Sequence, residues 1–179
     1  MLYFVVSLVG LTLVWMGWNL SLDAAWQPTD RITIRRILSL AMVKQGDLVV
    51  DLGCGDGRIV VSAAREFAAR AVGVEIDPVR ALLGKIWIGL LGLSGRAQVN
   101  WGNMYKLDLG RADVVILFLS AKANRRLKHR LEGQLRQGAR IVSYYHPMPD
   151  WTPDQIGSSR DGHPLYLYLI KRGNCAPAG

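Results

Sequence analysis

The chain has 179 residues, half of them hydrophobic and a fifth charged, which suits one domain with a short appendage and excludes a disordered chain. Lysine and arginine outnumber aspartate and glutamate by 22 to 14, a net charge of +8 that points to an anionic partner without choosing among nucleic acid, phospholipid headgroups and an anionic cofactor. Only two cysteines, Cys54 and Cys175, exclude a disulfide framework and a four-cysteine zinc site; the three scattered histidines show no ligand spacing, so no metal site is expected.

Residues 1–22 carry no charged side chain. At about 1.5 Å per residue, a helix over 3–22 would reach about 30 Å, the thickness of a bilayer's hydrocarbon core. Trp15, Trp18 and Trp26 gather at one end of this run and Tyr3 lies near the other, an interfacial aromatic pattern. A cleaved signal peptide would begin with a basic region, yet no lysine or arginine precedes Arg31. Residues 1–23 are therefore expected to form a single-pass membrane anchor, and residues 24–179 the folded domain. Arg31, Arg35, Arg36 and Lys44 follow the run, which places the domain on the cytoplasmic side, or the matrix side in a mitochondrion.

The turn Gln27-Pro28-Thr29-Asp30 precedes a helix in which Ile34, Ile37, Leu38 and Ala41 recur at helical spacing through Met42. A short buried strand over 48–52 leads into a glycine loop, a helix over 58–69 and a second strand over 71–75. Pro78 opens the next helix, 79 to about 93, which is apolar apart from Arg80 and Lys85. Packing against a sheet is the expected role of this helix, and contact with a bilayer is the alternative. Strands follow over 98–101 and 114–119, the latter continuously apolar, as suits a parallel strand covered on both faces. Residues 121–137 read as a basic amphipathic helix with Leu127, Leu131 and Leu135 along one stripe. A fifth strand covers 140–145, a Pro- and Gly-containing stretch 147–162, and a late edge strand 165–171. Strands alternating with helices give an α/β fold with a mostly parallel sheet and a ligand site beyond the strands' C-terminal ends.

The most informative segment is Asp51-Leu52-Gly53-Cys54-Gly55-Asp56-Gly57, between a strand and a helix. Its spacing is Gly-x-Gly-x-Gly, with Arg58 where the dinucleotide fingerprint has its third glycine, and it lacks the Gly-Lys-Ser/Thr ending of a P-loop. Asp51 and Asp56 would repel a pyrophosphate but suit a cofactor with a cationic amine and a sulfonium. Glu75, ending the second strand, can accept hydrogen bonds from both hydroxyls of a ribose.

Together these residues resemble the class I S-adenosylmethionine-dependent methyltransferases. The resemblance implies a Rossmann-like, seven-stranded, mostly parallel sheet with helices on both faces. It implies S-adenosyl-L-methionine as cofactor, held by Asp51, Gly53, Cys54, Gly55, Asp56, Gly57, Glu75, Asn103 and Met104. Asn103 stands where that class more often has an adenine-contacting aspartate. A narrower likeness is to the membrane-tethered protein-lysine methyltransferases of the adenine nucleotide translocase and ATP synthase c-subunit type and their prokaryotic relatives. It is carried by the apolar N-terminus, the turn Pro28-Thr29, the glycine motif through Val60, and the block from Gly138-Ala139-Arg140-Ile141-Val142-Ser143 to Pro147-Met148-Pro149-Asp150-Trp151. It implies transfer of a methyl group to a lysine of a membrane protein.

Methyl transfer from a sulfonium needs alignment of acceptor and donor more than a dedicated base, and desolvation alone can bring a lysine amine to its neutral form. Thr29, Ser120 and Tyr144 are acceptor-side candidates, because the turn and the strand ends should converge there; His146 is a further candidate base. Lys122, Arg125, Arg126, Lys128 and Arg130 crowd the helix over 121–137 and suggest either a solvated face or contact with anionic lipid. The end of the fourth strand, Phe118-Leu119-Ser120, lacks an Asn-Pro-Pro-Tyr type signature, so nucleic acid is not the expected partner. Competing readings are a methyltransferase acting on a lipid or small amphiphile, a non-catalytic cofactor-binding interaction module, and a dehydrogenase using Glu75 to hold a nicotinamide cofactor.

Overall fold

The two stretches without polar alternation, Leu48–Leu52 (β1) and Val114–Leu117 (β4), lie side by side in the middle of one sheet, since only a strand covered on both faces tolerates that composition. The computed structural model describes Gly10 and residues 27–171. Around β1 and β4 the chain adds α1 (Arg31–Leu40), α2 (Arg58–Glu66), β2 (Arg70–Glu75), α3 (Pro78–Leu90), β3 (Ala97–Trp101), α4 (Ala121–Gln134), β5 (Arg140–Tyr144), β6 (Gln155–Ser158) and β7 (Pro164–Leu169). The seven strands run in the order β3-β2-β1-β4-β5-β7-β6. The first five pair in parallel, with Val50 opposite Val72 on one side and Val115 on the other. β7 is antiparallel to both β5 and β6.

Alternate residues of β4 divide the core. Val114 and Ile116 join the cluster formed with α1, α2 and α3, whereas Val115 and Leu117 face Leu127 and Leu131 of α4. Helices thus cover both faces of the sheet, as the alternation of elements predicts. Strand order reverses between β1 and β4, so the chain leaves their C-terminal ends in opposite directions and opens a cleft there.

Local chemistry sets the element ends. Asp30 Oδ1 accepts hydrogen bonds from the backbone N–H groups of Ile32 (2.9 Å) and Thr33 (3.1 Å) and starts α1. Asp77 caps α3 in the same way, with Pro78 at its first position. Several helices and strands stop earlier than their apolar patterns suggest. α2 ends at Glu66, two residues before Ala68 at φ 53°, and β5 ends at Tyr144 because Tyr145 turns away at φ 72°. The late strand is not an edge: β7 lies between β5 and β6, and β6 forms the border. β6 arises within the stretch read as irregular, because Gln155-Ile156-Gly157-Ser158 is largely exposed and shows no apolar alternation.

The anchor expected at 1–23 lies, apart from Gly10, outside the described residues; among the described residues no helix is long and apolar enough to cross a membrane.

Candidate functional site

The glycine loop leaves β1 and folds across the end of β2. The backbone N–H groups of Gly53 and Cys54 both donate to the Val74 carbonyl, at 2.9 and 3.1 Å. Two glycines are irreplaceable there. Gly53 and Gly57 sit at φ 80° and 79°, and a Cβ on either would lie 3.0 Å from a branch of Leu119 or Val99. At Gly53 the approach is to Leu119 of the cleft wall, so backbone faces the cleft there, whereas at Gly57 it lets the loop pack against β3 and α3.

Three acids surround the loop, and the structure gives each a different task. Glu75 is buried and holds the loop itself: Oε2 accepts the Gly55 N–H at 2.8 Å, and Oε1 accepts the Asp77 N–H at 3.0 Å. Arg80 Nη1 lies 3.9 Å from Oε1. Asp56 is engaged by Arg58, whose Nε and Nη2 donate to its two oxygens at 2.9 and 2.6 Å. Burial acts to raise the Asp56 pKa, but the Arg58 hydrogen bond and charge outweigh it and hold the carboxyl below its usual range. Asp51, at the end of β1, is buried, and no described residue donates a hydrogen bond to its carboxylate. Burial, and then the charges of Glu75 and Asp56, push its pKa up to about 8.

These groups line a cavity of about 480 Å³ at the C-terminal ends of β1, β2 and β4. Asn103 and Met104 lie on its wall; Asn103 Oδ1 caps the short turn Met104–Lys106 by accepting the Tyr105 N–H at 2.9 Å. The Cys54 thiol is buried, and burial followed by the nearby Asp51 and Glu75 charges raises its pKa, so it stays protonated and packs as a small apolar group. Every cofactor-side residue expected from the sequence except Gly57 borders the cavity, and Gly57 opens α2 immediately behind it.

The acceptor-side expectations fare differently. Thr29 does line the cavity, and its carbonyl accepts from Arg58 Nη1 at 2.9 Å, pinning the 27–30 turn over the glycine loop. Ser120 does not line it; its hydroxyl caps α4 by accepting the Ala123 N–H at 3.2 Å. Tyr144 is also away from the cavity, buried with its ring 4.3 Å from that of Phe118. Tyr145 and His146 stay outside as well, and the His146 carbonyl accepts from Ser143 Oγ and Asn124 Nδ2.

Sequence reasoning missed the wall that does face the cleft. Phe118 and Leu119 follow β4, and Lys122 and Arg126 extend from the first turns of α4, with the Arg126 guanidinium 4.3 Å over the Tyr105 ring. The i, i+4 spacing of Lys122 and Arg126 directly after a strand end was the available signal. Two further members of the basic stripe are engaged elsewhere: Lys128 pairs with Asp150 at 3.0 Å, and Arg130 donates to the Leu107 carbonyl at 2.8 Å. Among the described residues no group of three His, Cys, Asp or Glu is placed to hold a metal ion.

The donor set fits the expected cofactor. A buried carboxylate without a donor calls for a cation, Glu75 keeps lone pairs for hydroxyl groups, the loop offers a cradle that side chains would fill, and Ile76, Met104 and Phe118 supply apolar walls.

Residues 51–155 match the family profile described as the ANTKMT methyltransferase domain. A protein-lysine N-methyltransferase of Saccharolobus islandicus is 42% identical over 147 residues, 80% of this chain and 91% of that protein. The adenine nucleotide translocase lysine N-methyltransferase of Mus musculus is 32% identical over 67% of this chain, which spans 52% of that longer protein. The crystal structure of an RNA methyltransferase from Salinibacter ruber in complex with S-adenosyl-L-homocysteine superposes with a TM-score of 0.81 at 33% identity, covering 86% of this chain and 99% of that one.

Proposed function

The chain belongs to the ANTKMT methyltransferase family, and on that premise we propose that it methylates lysine side chains of a membrane protein from the cytoplasmic side of a bilayer. It is an enzyme, an S-adenosyl-L-methionine-dependent methyltransferase. The observation that supports lysine as acceptor is the 42% identity to a protein-lysine N-methyltransferase across nearly all of that protein. The charge-free run over 3–22 and the cations that follow it support a single-pass anchor and a membrane-embedded substrate.

When bound, S-adenosyl-L-methionine supplies a methyl group made electrophilic by its sulfonium. Asp51 would receive the cofactor's ammonium and Glu75 its ribose hydroxyls, with Asn103 and Met104 beside the adenine. The chain's remaining work is on the acceptor. A lysine amine titrates near 10.4 in water and must be neutral to act as a nucleophile. Phe118, Leu119 and Met104 form a wall that strips water from an entering side chain, and desolvation lowers its pKa. The charges of Lys122 and Arg126 disfavour a further ammonium at the same mouth, so they act in the same direction. Thr29, held by Arg58, closes the cleft on the anchor side and positions rather than reacts.

The test adds methyl-labelled S-adenosylmethionine to membranes from cells lacking the protein, together with the full chain or its Glu75→Ala variant. Label in a discrete protein band, lost with the variant and placed on lysine by mass spectrometry, is the expected result. Label in the lipid extract would replace lysine by a small amphiphile. Label in RNA would align the chain with its Salinibacter neighbour instead, and cofactor binding without any transfer would make it an interaction module.

A further inference from the structure

α3 carries an outward face with almost no polar character. Val79, Leu82, Leu83, Ile86 and Leu90 recur at helical spacing and are between 48% and 82% exposed, while Ala81 and Ile88 on the other side are buried. Half of the exposed large hydrophobic residues described in the chain lie on this one helix. Trp101, 63% exposed, stands at its N-terminal end, its indole N–H donating to the Ile76 carbonyl at 3.0 Å. A contiguous exposed stripe of this kind marks an interaction surface rather than a solvated one.

We infer that the outer face of α3 rests in the interfacial layer of a bilayer containing anionic lipid, beside the mouth of the catalytic cleft. Charge selects this occupant. Residues 78–107 include the exposed Lys85, Arg96 and Lys106 and not one aspartate or glutamate, while Arg80 turns inward to Glu75, so the apolar face has cations near it in the chain and no carboxylate to repel phosphate. An indole at the margin is the side chain enriched at membrane–water interfaces.

Chain length selects the same occupant. Gln27, Pro28 and Thr29 line the cavity that Arg80 and Ile76 also line, so the N-terminal end of α3 and the start of the described chain meet at one mouth. Only residues 23–26 separate Gln27 from the charge-free run. At roughly 3.6 Å per residue that connection reaches about 18 Å at full extension. The inference rests on the reading that residues 3–22 cross a bilayer; given that, the cleft stays within about 18 Å of the membrane surface and the apolar helix beside it has lipid within reach. α4 lies on the opposite face of the sheet, and its outward side chains are polar, so it offers no comparable face.

The experiment uses the full chain carrying Cys175→Ser and a single introduced thiol, Leu83→Cys, labelled with an environment-sensitive fluorophore; Cys54 is buried and left in place. Asp161→Cys, on the hairpin at the far edge of the sheet, provides the comparison. Both are reconstituted into vesicles of phosphatidylcholine and phosphatidylglycerol, and binding of S-adenosylhomocysteine confirms that each is folded. The expected result is several-fold brighter, blue-shifted emission at position 83 that is quenched by spin-labelled lipid and shielded from iodide, with position 161 open to iodide. A chain that floats with vesicles but leaves position 83 open to iodide would overturn the inference while leaving the anchor intact. Shielding of position 83 from both quenchers would overturn it in favour of the N-terminal segment or a second copy as the cover. A chain that does not float with vesicles would overturn the membrane reading, and the inference with it.

Discussion

Glu75 Oε2 accepts the Gly55 backbone N–H at 2.8 Å, tying the end of β2 to the middle of the glycine loop. The carboxylate expected to meet a ribose is therefore also the support of the cradle. Its other oxygen accepts the Asp77 N–H, so one side chain fixes both the loop and the start of α3. Glu75→Ala leaves two buried N–H groups without partners, at about 1–3 kcal/mol each, and removes the hydroxyl acceptor as well. We expect it to lower the melting temperature and to abolish measurable S-adenosylhomocysteine binding in calorimetry. Glu75→Gln keeps an acceptor oxygen and should fall between the two. A Glu75→Ala chain that melts like the parent would show that the loop holds itself.

Gly73 and Cys54 make a second obligatory pair. A Cβ on Gly73 would lie 2.5 Å from Cys54 Sγ, 2.7 Å from Cys54 Cβ and 2.9 Å from Val60 Cγ2. Gly73→Ala is therefore expected to destabilise by about 1–3 kcal/mol through overpacking, readable in denaturant unfolding. Combining it with Cys54→Ala should recover only part of the loss, because the Cys54 Cβ and Val60 remain in the way. Full recovery in the double variant would place the clash on the sulfur alone.

Legibility followed how local each signal was. The glycine motif and the first five strands were readable because contiguous apolar runs and turn glycines report their own backbone. β6 was not, since its residues are held by pairing with β7 rather than by a pattern of their own. Ser120 and Tyr144 show the limit at the site. Spacing puts both near strand ends, yet the hydroxyl is drawn to the first turn of α4 and the ring to Phe118, and neither lines the cavity. Which neighbour captures a side chain is decided by packing that sequence spacing does not carry. Phe118, Lys122 and Arg126 reach the cavity for the same reason.

Asp51 links stability to pH. Its carboxyl titrates at about 8 in the folded chain against 3.8 ordinarily, mainly because it is buried and then because Glu75 and Asp56 are close. Between those values the folded state keeps a proton that the unfolded chain has released, so the contribution of this carboxyl to stability is full below about pH 4 and is lost as pH rises to about 8. This is the opposite sign from a salt-bridged aspartate. Asp51→Asn should flatten that slope in thermal melts of the ligand-free protein. Binding of a cationic cofactor group selects the ionised form, so affinity in the parent should rise with pH below about 8, by up to about tenfold per unit, with proton release visible in calorimetry across different buffers. A pH-independent affinity would place the cofactor's ammonium elsewhere.

The buried pair of Asp47 and Arg140 secures the other end of the sheet. Arg140 Nη2 meets Asp47 Oδ2 at 2.8 Å, and Nη1 donates to the Ala41 and Met42 carbonyls at the end of α1. Arg140→Ala leaves the buried Asp47 carboxylate without its cation, held only by the Lys44 N–H at 3.1 Å, and releases the end of α1, at about 3 kcal/mol. Arg140→Lys restores the charge but not the planar fork, and should recover less than half of the loss in chemical unfolding. Recovery to the parental value would make the interaction a matter of charge alone.

The two loop aspartates can be separated by experiment, because the structure gives them unequal freedom. Both were candidates for the cofactor's amino-acid end, but both oxygens of Asp56 are taken by Arg58, which in turn donates to the Thr29 carbonyl. Both aspartates border the cleft, but Asp56 meets it with its oxygens already engaged, whereas no described residue donates to Asp51. Asp51→Asn should weaken S-adenosylhomocysteine binding more than Asp56→Asn does. Arg58→Ala should resemble Asp56→Asn, since either change frees the 27–30 turn from the loop. Hydrogen bonds to a charged group contribute about 1.5–3 kcal/mol, and the partial exposure of Arg58 sets its value toward the lower end, or roughly tenfold in affinity. The turn's release should also raise the KM for the acceptor while leaving the melting temperature nearly unchanged, because the same contacts close the cleft but do not bridge the core. Equal losses for the two aspartates, with Arg58→Ala harmless, would mean that cofactor displaces Arg58 from Asp56 on binding and that the turn takes no part in holding the site.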